Sequence, residues 1–209
     1  MFKKNLSFNY SLNRISKKTP RQIVYSSIPG KKSLNEIQLS KFASYIFQQK
    51  NECVHSLISE AISAELMIQF FEKELLLNVQ NIYSEKEVKY NTTQSKKTDY
   101  VLNIKNEYNI AVQVKRIHNW KENLKRPIAW NIEKIWSLLE KANITIQESN
   151  KNVSDDYKWN YQILHIMTSL SEVYDCVMSY IKKRKFSFDM LFITYVPKKS
   201  WWMIENYEG

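Results

Sequence analysis

Two glycines, Gly30 and Gly209, are all that this chain of 209 residues contains. That scarcity constrains its backbone more than any other feature. Glycine is the residue that takes positive φ, or brings main chain against a phosphate, without steric cost. Neither a G-x-G-x-x-G turn nor a G-x-x-x-x-G-K-[ST] phosphate loop can be written. Collagen-like and Gly/Ser-linker classes are excluded as well. With 44% apolar and 13% aromatic residues, there is ample material for one globular core.

Cys53 and Cys176 are far apart, and the three histidines, His55, His118 and His165, are scattered. Neither a zinc site of standard spacing nor a disulfide framework is expected. A reducing intracellular compartment, cytoplasm or nucleus, suits that usage. No run of 18 apolar residues occurs, so no membrane span is expected, and the amino terminus lacks the apolar stretch of a secretory signal.

Charge divides the chain. Residues 1–35 hold eight of the 31 bases and no acid, whereas residues 36–209 are nearly balanced. The expectation is a basic arm over 1–35 and a single domain over 36–209. Such an arm suits a polyanion through counterion release. It equally suits a solvated tail that keeps the chain soluble, and its Ser-rich, acid-free composition has something of a transit peptide.

Along the domain the hydrophobic period alternates. Ser33 or Asn35 caps a first expected helix carrying Ile37, Phe42, Ile46 and Phe47. A second, apolar nearly all round, runs over about 53–79 and encloses one acid, Glu65, in its middle. Strands follow at 82–90, 98–104 and 110–117, the last two joined by the polar turn KNEYN as an antiparallel hairpin. A helix over 131–147, a strand over 161–170, a helix capped by Ser171 and a strand over 188–196 complete the order, with WWMIENY as a short edge strand. This predicts an α/β fold, a mixed sheet with helices on its faces.

The hairpin brings chemistry together. Asp99 opens one strand; Gln113 and Lys115, two apart on the next, share a face. Closure about KNEYN places the start of the first strand beside the end of the second. Asp99 would then offer a hard anionic oxygen, Gln113 an amide oxygen and Val114 a backbone carbonyl to Mg²⁺, with Mn²⁺ able to substitute. Such an ion polarises a phosphate and acidifies water; Lys115 would orient that water or stabilise developing charge. A carboxylate from the long helix, Glu65 first and Glu60 or Glu72 as alternatives, would complete the site.

The run Thr98-Asp99-Tyr100-Val101-Leu102 followed by Ile110-Ala111-Val112-Gln113-Val114-Lys115-Arg116 resembles the core of the PD-(D/E)XK nuclease superfamily. So does the element order over roughly 53–196. Threonine replaces the frequent proline before the aspartate, and glutamine replaces the acid of the (D/E)XK element. Some active members carry that glutamine; others with degraded motifs have lost activity. The resemblance implies a restriction-endonuclease-like mixed central sheet flanked by helices, here with an N-terminal helical extension. It also implies a Mg²⁺-dependent nuclease, DNA being the expected substrate. Asp99, Gln113, Lys115 and Glu65 would be the catalytic set, and Asp99, Gln113, Val114 and Glu65 the metal set.

Arg116, Lys121, Lys125 and Arg126 are expected along a nucleic-acid groove, with Trp120 and Trp130 available to stack on bases; a solvated basic loop explains them equally well. His55 and His165 sit in apolar contexts and read as core residues. Three functions are open: a nuclease acting alone, as a homodimer or with a partner subunit; a catalytically inactive nuclease-fold subunit that binds nucleic acid in a larger nucleoprotein complex; and a protein-interaction domain docked through its arm.

Overall fold

The hairpin expected about KNEYN forms. In the computed structural model, which describes residues 9–13, 22–30, 33–49, 54–104, 108–118, 120–121, 126–127 and 131–204, β4 (Tyr100–Ile104) pairs antiparallel with β5 (Tyr108–Ile117). Tyr100 stands opposite Val112 and Ile104 opposite Tyr108. On the outer side of β4 runs β3 (Val79–Ser84), also antiparallel. It lies earlier than the 82–90 expected, because Glu85 to Glu87 turn away.

From β5 the chain crosses one face twice. Helix α3 (Ile132–Asn152) leads to β8 (Tyr161–Thr168), parallel to β5, and α4 (Val173–Lys183) leads to β9 (Met190–Tyr195), parallel to β8. Two short segments between β5 and α3, β6 (Trp120–Lys121) and β7 (Arg126–Pro127), pair as a separate ribbon. The mixed α/β sheet with helices on its faces is therefore as expected from the sequence.

The basic amino-terminal segment is not wholly an arm. Within it, β2 (Gln22–Ser27) pairs parallel with β9, and β1 (Asn9–Asn13) pairs antiparallel with β2. The seven-stranded order is β1-β2-β9-β8-β5-β4-β3. Ile23 and Val24 are fully buried, so the boundary drawn at residue 35 cuts through the sheet. The apolar run Ile23-Val24-Tyr25 lies between basic stretches, which mask it in the charge pattern.

Buried clusters pack both faces of the sheet. One face packs on α1 (Lys41–Phe47) and α2 (Val54–Gln69), with Ala61, Ile62, Leu66, Phe70, Tyr100, Val112 and Phe192 among its buried residues. The other packs on α3 and α4, with Ile135, Leu139, Val177, Ile117, Leu164 and Ile193. Helix α2 is buried nearly all round, as its composition predicts.

Helix starts follow side-chain capping. Ser40 accepts from the amide of Ala43 at 3.2 Å and Asn131 from that of Lys134 at 3.0 Å, so each satisfies an amide with no partner in its helix. The first helix thus starts after Ser40; the Ser33/Asn35 region forms only a 3-10 turn, Leu34–Glu36. Ser171 does not cap α4: Glu172 holds that position and the Ser171 hydroxyl donates to its carboxylate. Helix α2 ends in a π turn, Phe70–Glu74, short of residue 79. The aromatic tail forms a 3-10 helix, Lys198–Met203, instead of an edge strand. Met203 and Ile204 bury against the α1/α2 face, which gives an apolar tail more contact than a sheet edge would.

A candidate metal-assisted active site

Asp99 is fixed from three directions. Its amide donates to the carbonyl of Val112 at 3.2 Å, and its carbonyl accepts from the amide of Glu85 at 3.1 Å. Next to it, buried Thr98 takes the place a proline would stiffen: its hydroxyl donates to the Val112 carbonyl at 3.0 Å and its amide to the Tyr90 hydroxyl at 2.8 Å. The Asp99 carboxylate Oδ2 accepts from the Val114 amide and from Gln113 Nε2. Asp99 and Gln113, which the hairpin was expected to bring together, therefore do meet, and Val114 reaches Asp99 through its amide and not through the carbonyl expected of it.

Gln113 meets Asp99 with a different atom from the one expected. Its nitrogen, at 2.6 Å, faces the carboxylate, while Oε1 is buried with no hydrogen-bond partner. The reason is electrostatic, because a neutral amide beside an anion presents its N–H. Gln113 orients Asp99 in this arrangement instead of presenting an oxygen beside it.

Lys115 lines the same cleft as Asp99, about 290 Å³ in volume, together with Ser56, Ser59, Glu60, Val114, Arg116, His118 and Leu138. Arg116 leaves β5 on the opposite side from Lys115 by strand alternation. Its guanidinium nonetheless reaches Ser56 of α2 at 3.4 Å, and both residues line the cleft. Glu60 and Asp99 also line a second depression, with Gln49, Ser84 and Glu85 among its other walls.

The helix carboxylate facing Asp99 is Glu60, the alternative, and not Glu65. Glu65 is buried elsewhere: Oε2 accepts from the amide of Ser40 at 2.7 Å and Oε1 from Gln69 Nε2 at 2.7 Å. Five residues turn a helix by about 500°, so Glu65 projects about 140° away from Glu60. It secures the start of α1. Glu72 is exposed in the π turn and lines a surface depression with Leu76 and Leu77. Ser56, Ser59 and Glu85 carry no sequence signal of their own, and which side chains α2 turns toward Asp99 depends on its rotation on the sheet.

Negative charge is crowded here. Burial, then the carboxylates of Asp99 and Glu85, push Glu60 up to about 8, with Arg116 and Lys115 opposing. Burial raises Asp99 to about 6 against the pull of Lys115, the Val114 amide and the Gln113 amide, with Glu85 adding to the rise. Two carboxylates that resist ionising together form a place where a cation would be welcome. Among the described residues no group of three or more His, Cys, Asp or Glu side chains is placed to hold a metal. Mg²⁺ is commonly held by one or two carboxylates with water and substrate phosphate filling the rest. Asp99 and Glu60, which both line the cleft, fit that smaller demand.

Of the expected nucleic-acid contacts, Arg116 lines the cleft. Lys121 and Arg126 are opposite one another in the β6–β7 ribbon, and Lys125 lies outside the described residues. Among the described residues no helix is long and apolar enough to cross a membrane. No protein-family model matches the chain, and no curated protein matches it.

Proposed function

We propose that this protein is a metal-dependent nuclease that hydrolyses phosphodiester bonds, with DNA the expected substrate and Mg²⁺ or Mn²⁺ the ion. The observation that carries this reading is the convergence on one polar cleft of Asp99 from the head of β4, Lys115 from β5 and Glu60 from α2. Asp99 and Glu60 would hold the ion. When bound, the ion draws charge from the phosphate oxygens and acidifies nearby water. Gln113 and the Val114 amide keep the Asp99 carboxylate in one orientation. Lys115 supplies a positive charge where the phosphorane gains negative charge. Arg116, in the lining of the cleft, suits a flanking phosphate. Hydrolysis forms a bond from water oxygen to phosphorus and breaks one ester P–O bond; the water proton leaves and the departing oxygen is protonated.

Incubation with linear, nicked and branched DNA, and with RNA, in Mg²⁺ or Mn²⁺ tests the reading. Cleavage is expected for the wild type and is lost in Asp99→Ala and Lys115→Ala. Cleavage that survives both substitutions overturns the site.

One observation favours a second reading, a nuclease-fold subunit that binds nucleic acid without cutting it. Gln113 brings no charge and spends its N–H on an Asp99 oxygen. That reading requires salt-sensitive binding, independent of divalent ions, with no product.

A further inference from the structure

Between α2 and the sheet five side chains form a continuous run of hydrogen bonds across the sheet face that packs on α1 and α2. Ser63 Oγ of α2 lies 2.7 Å from Tyr100 Oη and 2.6 Å from His165 Nδ1. His165 Nε2 lies 2.8 Å from Thr194 Oγ1, which lies 2.7 Å from Ser26 Oγ. All five residues have 0% exposure. Burial holds His165 neutral, its pKa lowered to about 3, and keeps the Tyr100 hydroxyl protonated. A serine beside a neutral histidine has the look of an activated nucleophile, but no substrate atom can reach one with no exposed surface.

The members' neighbours are informative. Ser63 follows Glu60 by one helical turn, Tyr100 follows Asp99 directly, and His165 is the register partner of Val114, whose amide holds Asp99. Each of the three therefore touches an element that carries part of the cleft. Apolar packing between a helix and a sheet tolerates sliding, whereas a buried hydrogen bond fixes separation and angle.

Resting on the nuclease reading above, we propose that Ser63 and Tyr100 are positioning residues: their hydrogen bond sets α2 against β4 so that Glu60 and Asp99 stand at the spacing one divalent ion requires. His165 braces Ser63 from β8. Thr194 and Ser26 close the run on β9 and β2, away from the cleft.

The test uses full-length Tyr100→Phe, Ser63→Ala and, as a control at the far end of the same run, Ser26→Ala. Backbone amide NMR spectra without metal come first. Tyr100→Phe is expected to move the amide signal of Glu60, across the lost bond, and Ser63→Ala those of Asp99 and Val114; Ser26→Ala leaves all three in place. Cleavage kinetics in Mn²⁺ follow, with kcat falling about ten- to a hundredfold in the first two variants at little change in KM. Ser26→Ala keeps wild-type kcat while losing comparable thermal stability. If Ser63→Ala does not fold, Tyr100→Phe, which keeps the ring, decides alone. Unmoved Glu60 in Tyr100→Phe, wild-type kcat in that variant, or an equal loss in Ser26→Ala overturns the proposal. If the wild type cleaves nothing but the signals move as stated, the nuclease reading falls and the positioning role stands.

Discussion

The amide of Gln113 donates to the carboxylate of Asp99 at 2.6 Å, from the strand facing it. A glutamine in that place exchanges a second negative charge for a hydrogen bond. The exchange suits a metal-free protein, since two carboxylates in contact repel unless a proton or a cation lies between them.

Gln113→Glu introduces that second charge. Without divalent ions it is expected to lower stability by about 1–3 kcal/mol, because the donor to Asp99 is lost and an anion is buried beside it. Added Mn²⁺ recovers the loss and raises Tm more in the variant than in the wild type. Thermal melts with chelator and with Mn²⁺ check this; equal metal effects on both proteins contradict it.

The two acids of α2 should separate cleanly. Glu60→Gln removes a carboxylate whose ionisation burial already opposes. Tm is expected to hold or rise while cleavage falls on the order of a hundredfold, a loss of the size seen when one charge-stabilising group is removed. Glu65→Gln leaves the amide of Ser40 or the side chain of Gln69 without its acceptor and should cost about 1–3 kcal/mol. Below its lowered Tm it should still cleave. Urea melts and initial rates on the same preparations distinguish the pair.

Stability should fall as pH rises. Glu60 is raised to about 8 and Asp99 to about 6, both above unfolded values of about 4. The native state therefore binds these protons more tightly than the unfolded chain, and the free energy of unfolding declines from about pH 4 to pH 8. Glu60→Gln removes the whole of that decline between about pH 6 and 8 and roughly half of it between about pH 4 and 6. Cleavage should run in the opposite sense, rising over the same interval as the carboxylates ionise. A Tm that climbs with pH in the wild type, measured with chelator present, would falsify the crowded-carboxylate account.

A chain beginning at residue 36 should not fold. It lacks β2, hence the buried Ile23 and Val24 and the Ser26 to Thr194 hydrogen bond, and leaves β9 with an unpaired edge. Loss of two large core side chains alone costs roughly 2–5 kcal/mol each. Circular dichroism should give a broad, non-cooperative melt for this fragment and a sharp one for the full chain.

Local periodicity and turn chemistry determined much of this protein. The helical patterns of α2 and α3 and the β-branched runs of β4 and β5 are legible in the sequence, as is the hairpin that seats Asp99 beside Gln113, because each depends on residues close in the chain. Tertiary structure decided the rest. Whether Glu60 or Glu65 faces Asp99 depends on how α2 is rotated on the sheet, and an all-round apolar helix offers no polar face to fix that angle from sequence. The parallel docking of β2 on β9 joins residues 168 positions apart, so nothing local marks it. Which atom of Gln113 turns to Asp99 was settled last, by the charge already fixed in front of it.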